Sequence, residues 1–275
     1  MPSWMTDFLG IAKSWAQGSS IWRFCMSLVT MMMSGSPDAL FPDAWSYVTD
    51  TLYPMMLTIG IFLLNLFCLI GFIRQASNLR ENVTTEMWIE LFIKVLIANV
   101  LMTNGLSIIQ DFFNAAGGVE LSVMSDHYPD IFSDEIDAGA IMAYLLFGII
   151  YIVVSAICGI MIVVEVLARF LNLFLLTAAA PVALSTLAGG RGIENSAYAW
   201  IKSFLTNVFQ IVVIAVILQV GSMMIKTLGT TDQSIFLVNW FDGATEVMKS
   251  FLIMVFMTTA IKGSDNFLKR AFDLR

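Results

Sequence analysis

Long apolar runs separated by short polar stretches organise this chain. Leu52 to Ile73, Met87 to Ile109, Ala138 to Val164 and Phe204 to Ile225 are each long enough to cross a bilayer as a helix, which takes about 20 mostly apolar residues. Val247 to Ile261 is shorter, but Lys249 near its start can snorkel to the interface. Phe170 to Ala188 is as apolar, yet it carries Ala178, Ala179, Ala180 and Pro181 and runs into Gly189 and Gly190. Proline removes a backbone hydrogen bond and clashes with the preceding turn, so this segment is expected to break or turn back as a re-entrant element. The alternative is a simple kink packed by the small residues around it, the small alanines among them.

Composition strengthens this picture. Of 275 residues, 58% are hydrophobic and 13% charged, and the mean hydropathy is +0.82, well outside the range of soluble domains. The expected fold is an all-α, polytopic membrane helix bundle. Residues 1–50 read as an amphipathic interfacial region, 51–262 as the bundle and 263–275 as a short basic tail. Trp4, Phe8, Ile11 and Trp15 recur at helical spacing, as in a helix lying in the interface. Asp7 and Lys13 interrupt what a cleaved signal would need. Ile21 to Met33, interrupted by Arg23, is too short to span and is expected at the interface or packed on the bundle.

Charge orders the loops. The external-loop candidate, 111–139, holds Asp111, Glu120, Asp126, Asp130, Asp134, Glu135 and Asp137 and no Lys or Arg. Loops without basic residues are translocated, whereas Lys and Arg collect in the cytoplasm. The turn with Arg74 and Arg80 is therefore inside and the N-terminus outside. If 170–188 does not cross separately, Arg191, Lys202 and the tail with Lys262, Lys269, Arg270 and Arg275 all fall inside. Charge thus favours five spans with the C-terminus cytoplasmic, and hydropathy alone favours six.

Polar residues within the spans are the candidate functional positions. Glu90 and Lys94 stand four apart, followed by Asn99 and Asn104. They read either as a polar channel lining or as an ion pair near the interface with asparagines bonding between helices. Glu165 and Arg169 repeat the four-residue spacing at a span boundary. Ser155 and Gly159 form a small-xxx-small pair that lets helices approach. The three cysteines, Cys25, Cys68 and Cys158, lie in apolar surroundings without CxxC spacing, so they read as small hydrophobes. The single histidine, His127, lies in an acidic loop that lacks the ligand spacing of a calcium site. No nucleophile and base pair up, and no phosphate-binding or zinc-protease motif occurs. The expectation is a non-enzyme with no cofactor and no metal.

The stretch "YLLFGIIYIVVSAICGIMIVVEVLARFLNLFLLTAAAPVALSTLA", followed by "AYAWIKSFLTNVFQIVVIAVI" with Trp200 and Lys202 just before the next span, resembles the TrbL-like polytopic inner-membrane subunits of type IV secretion and conjugation systems. The second span, "MWIELFIKVLIANVLMTNGLSIIQDFFNAAGG", looks like the version in Gram-positive conjugative elements. The resemblance covers about Leu52 to the C-terminus. It implies a channel or scaffold subunit in the bacterial cell (inner) membrane, N-terminus outside. Its implied partners are further copies of itself, other secretion subunits including a cytoplasmic ATPase, membrane lipids, and the translocated DNA or protein in passing. Pro181, Trp200 and Lys202 are the positions it singles out. The competing expectation is a small-solute or ion transporter, or a permease subunit, with Glu90, Lys94, Asn99 and Asn104 along its path.

Overall fold

The computed structural model describes residues 20–77, 85–123, 138–190, 192–230 and 242–271. All regular structure among them is helical: α1 (Ser20–Met33), α2 (Pro37–Leu40), α3 (Pro42–Ser46), a wide turn at Tyr47–Leu52, α4 (Tyr53–Ser77), α5 (Thr85–Thr103), α6 (Gly105–Val123), α7 (Ala138–Ser185), a 3-10 turn at Thr186–Gly189, α8 (Asn195–Thr230) and α9 (Asp242–Ala271). A chain this apolar has no cheaper way to satisfy its backbone in lipid than helix. The amphipathic stretch from Trp4 to Trp15, the acidic stretch with His127, and Arg191 lie outside the described residues.

Among the described residues three helical stretches are long and apolar enough to cross a membrane: Pro42–Ile73, Ile150–Gly189 and Asn195–Gly221. The first begins before the expected Leu52, because helix runs through Pro54. The ring of Pro54 would crowd the carbonyl four residues earlier, and the wide turn at Tyr47–Leu52 absorbs that clash. The expected division at residue 50 therefore falls inside a helix.

Two expectations are corrected. Met87 to Ile109 is not one straight span: α5 stops at Thr103, Asn104 stands outside regular helix, and α6 leaves at 67°. Asn-Gly is a strong turn signal, and here it outweighs the apolar run. Conversely, Pro181 does not break its helix. It lies in the last turns of α7, where it removes only one hydrogen bond before the helix ends. Helix is continuous between Val164 and Phe170, so most of 170–188 is the C-terminal part of α7 and not an element set apart by a turn.

The chain divides into two compact units. The first contains α1, the α7 residues up to Ala168, and α8 and α9 from Ile211 to Phe267. Val29, Met33, Tyr151, Ile162, Leu218, Met254 and Ile261 are among its most deeply buried side chains. α1 packs on α7: a Cβ at Gly159 would come within 2.8 Å of Cys25 Sγ, and Ser155 is fully buried. The small pair of α7 thus receives a helix of the same chain, and the stretch with Arg23 packs on the bundle. All three cysteines are free thiols.

The second unit comprises residues 35–118, 169–210 and 268–275. Within it α4 meets α5 and the 3-10 turn. A Cβ at Gly60 would sit 2.8 Å from both Met102 Cε and the Pro181 carbonyl, and one at Gly71 would sit 2.9 Å from Leu91 Cδ1 and the Ala188 carbonyl. Positions 60 and 71 thus meet 181 and 188 in the same order, so α4 and the end of α7 run in the same direction. α5 runs against both. Aromatic rings close the other end, with Phe41 on Phe170 at 5.5 Å, Trp45 between Phe113 at 5.8 Å and Phe174 at 6.0 Å, and Phe113 on Phe204 at 6.1 Å.

Candidate functional site

The sequence pairs Glu90 with Lys94, and the structure adds a third member. Lys94 Nζ lies 3.0 Å from Glu90 Oε1 and donates to Glu194 Oε2 at 2.9 Å. Glu194 comes from the turn between α7 and α8, 100 residues further along. That turn is built by glycine: Gly190 has φ 73° and Gly192 φ 97°, conformations costly for residues with a Cβ. The amides of Ile193 and Glu194 then bond back to the Gly190 carbonyl at 3.2 and 3.3 Å, which turns Glu194 toward α5. Its side chain is 18% exposed, that of Lys94 29% and that of Glu90 64%. An ammonium with three donors thus joins the start of α5 to the α7–α8 turn. Two carboxylates around one ammonium leave a net negative charge there.

The break at Asn104 is the second feature. Ending α5 frees carbonyls that a continuous helix would use. The Tyr53 hydroxyl takes up one of them, donating to the Met102 carbonyl at 2.7 Å in a buried contact, whereas the Val100 carbonyl still receives the Asn104 backbone N–H at 3.0 Å, with Asn104 Nδ2 as a second donor. Gly105 opens α6 directly against that hydroxyl, so closely that a Cβ would overlap it. Beyond the break, Ser107, Gln110, Asp111 and Asn114 share one face of α6. With Phe113 and with Asp38 of α2 they line a pocket of about 300 Å³. Their i, i+3, i+4, i+7 spacing was present in the sequence, but the apolar run around it and the loop assigned from residue 111 obscured it. Tyr53 and Glu194 carried no comparable signal, because their partners are 49 and 100 residues away.

Asn99 is exposed on α5 and Lys202 is exposed on α8, and neither lines that pocket. The path proposed through Glu90, Lys94, Asn99 and Asn104 is therefore not gathered around this cavity. Arg169 is buried, with Nη1 3.5 Å from Asn207 Oδ1. Asn207 Nδ2 donates to the Ser203 carbonyl at 2.8 Å, which leaves its oxygen toward the guanidinium. Glu165 is half-buried and belongs to the other unit. Trp200 donates its indole N–H to the Leu176 carbonyl at 3.0 Å and stacks on Phe204 at 5.5 Å. Pro181 is buried one turn beyond that carbonyl.

Among the described residues no three His, Cys, Asp or Glu side chains gather as a metal site. The class is that of a chain helical throughout its described regular structure, with three helices among the described residues long and apolar enough to cross a membrane, or four if the bent α5–α6 pair is one span. Comparison with known proteins assigns no family: no family model matches the chain, and no curated protein matches it.

Proposed function

We propose that this chain is a non-enzymatic channel or scaffold subunit of a type IV secretion machine for conjugative DNA transfer, of the TrbL-like kind. The observation that carries the reading is the contact of Trp200 with the Leu176 carbonyl, just before Pro181. It joins the two stretches on which the resemblance rests. Discontinuous helix at membrane depth belongs where protein covers it or a cavity adjoins it, and the Asn104 break, beside the α6 pocket, suits a conduit-forming subunit. Its partners are then further copies, secretion subunits including an ATPase, and the DNA or protein in transit.

Five passes, N-terminus outside and C-terminus cytoplasmic, complete the proposal: α4, the α5–α6 pair, α7, α8 and α9. The shared direction of α4 and the end of α7 supports it, since the Arg74 turn and the Gly190 turn then lie on one side. The Lys94–Glu194 contact supports it in the same way. Deletion of the gene should abolish DNA transfer, and the intact gene supplied in trans should restore it; transfer at the normal rate without it would sink the proposal. A cysteine placed at exposed Asn195 should react with a membrane-impermeant maleimide only after the cell is opened. Labelling from outside would overturn the topology.

The transporter reading keeps one supporting observation, the broken helix, a feature many transporters share. Substrate-dependent flux through reconstituted protein, lost in Glu90→Gln, would favour it.

A further inference from the structure

We propose that the start of α8, residues 193–199, is a clasp that opens and closes on α5, with Glu194 leaving Lys94 while Glu90 keeps that ammonium neutralised. The proposal does not depend on the conjugation reading.

Few contacts hold this stretch closed. Gly192, Asn195, Ser196, Tyr198 and Ala199 are exposed, and of residues 192–199 only Ala197 is buried. Ile193 packs on Gly189, where a Cβ would come within 2.6 Å of the isoleucine side chain, and Glu194 meets Lys94 at 2.9 Å. Beyond it α8 is fixed, since Trp200 bonds to the Leu176 carbonyl and stacks on Phe204. Before it stands Gly190, whose φ of 73° and ψ of −169° make a swivel that only glycine supplies freely. A stretch with little buried apolar surface and exposed backbone bonds is the kind that opens locally while the rest stays folded.

The charges give the clasp its two positions. In the closed one, Lys94 Nζ holds Glu90 Oε1 at 3.0 Å and Glu194 Oε2 at 2.9 Å. The two carboxylate oxygens are then at most about 6 Å apart and repel each other. In the open one, Glu194 enters water and that repulsion vanishes. Lys94 keeps a counterion even so, because Glu90 sits one turn away on the same helix. With a single partner, opening would strand a part-buried ammonium without a counterion, which is costly. The second carboxylate therefore lowers the free energy of opening in both ways.

Hydrogen exchange of the full chain in lipid nanodiscs, followed by mass spectrometry, reads the opening. The amides of Ile193 and Glu194, bonded to the Gly190 carbonyl, and those of Ala197 and Tyr198, bonded to the Glu194 carbonyl, report it. Glu194→Gln should speed their exchange about ten-fold, as expected for a weakened bond to a charged group. Glu90→Gln should slow it about three-fold, the size of the repulsion between unit charges about 6 Å apart in water. Exchange in α4 should stay unchanged in both. Misfolding accelerates exchange and does not slow it, so the Glu90→Gln result stands however well Glu194→Gln folds. Faster or unchanged exchange in Glu90→Gln, or no acceleration in Glu194→Gln, would overturn the proposal, and neither result depends on whether DNA is transferred.

Discussion

Gly105→Ala tests the helix break directly, because its effect should depend on a hydroxyl 52 positions away in the sequence. A Cβ at Gly105 overlaps the Tyr53 hydroxyl, while the next atom, Tyr53 Cζ, is at an ordinary 3.6 Å. The variant must therefore push the hydroxyl off the Met102 carbonyl, which it meets at 2.7 Å in a buried position. Losing a buried hydrogen bond and leaving the carbonyl unsatisfied costs about 1–3 kcal/mol. Measured pairs within membrane proteins lie at the lower end, about 0.6 kcal/mol on average and about 1.7 at most, so about 1–2 kcal/mol is expected. Tyr53→Phe alone should cost a similar amount. Combined with Tyr53→Phe, however, Gly105→Ala has nothing left to clash with, and the less flexible alanine should be neutral or stabilising by up to about 1 kcal/mol. Equilibrium unfolding of the four proteins of this cycle in detergent–lipid micelles measures the coupling. Strict additivity, with Gly105→Ala equally harmful in both backgrounds, would refute this account of the break.

In the Lys94 cluster, Glu194→Gln should destabilise by about 1–3 kcal/mol, as for a part-buried bond to a charged group, and exposed Glu90→Gln by at most about 0.5. Equal losses in thermal unfolding would show that burial does not rank the two. Gly190→Ala should cost about 1–3 kcal/mol, because its φ of 73° with ψ of −169° is nearly exclusive to glycine. Gly263→Ala on α9, with open space around it, should be neutral or slightly stabilising by the same measurement; the reverse order would be fatal to the strain argument. Trp200→Phe should keep the stacking on Phe204 and lose the bond to Leu176, for about 1 kcal/mol, while Trp200→Ala should cost distinctly more. If the two variants unfold together, the ring contact contributes nothing.

The helical class and the approximate places of the long apolar helices were legible in the chain alone. Lipid leaves a backbone few choices, and runs such as Leu52 to Ile73 and Phe204 to Ile225 are too long and apolar to serve otherwise. The Glu90–Lys94 pair was legible for a related reason, since i, i+4 contacts are set by the helix itself. Continuity was not. Hydropathy reads amounts of apolar residue and not hydrogen-bond paths, so it divided α7 at Glu165 and Arg169, where a helix carries its charges without interruption, and it ran straight through Asn104.

Proline and asparagine therefore exchanged the roles that a local reading gives them. Pro181 sits so near the end of α7 that its missing bond matters little. Asn104 precedes a glycine that must approach Tyr53, and that hydroxyl takes up a carbonyl freed by the break. Whether a polar residue bends a helix or rides within it depends on which distant group can satisfy the backbone left behind. Tyr53 does so for the Met102 carbonyl from 49 residues away. The sequence by itself determined that this protein is helical and apolar enough for a membrane; only the tertiary structure decided where its helices break, because those partners meet only after the chain has packed.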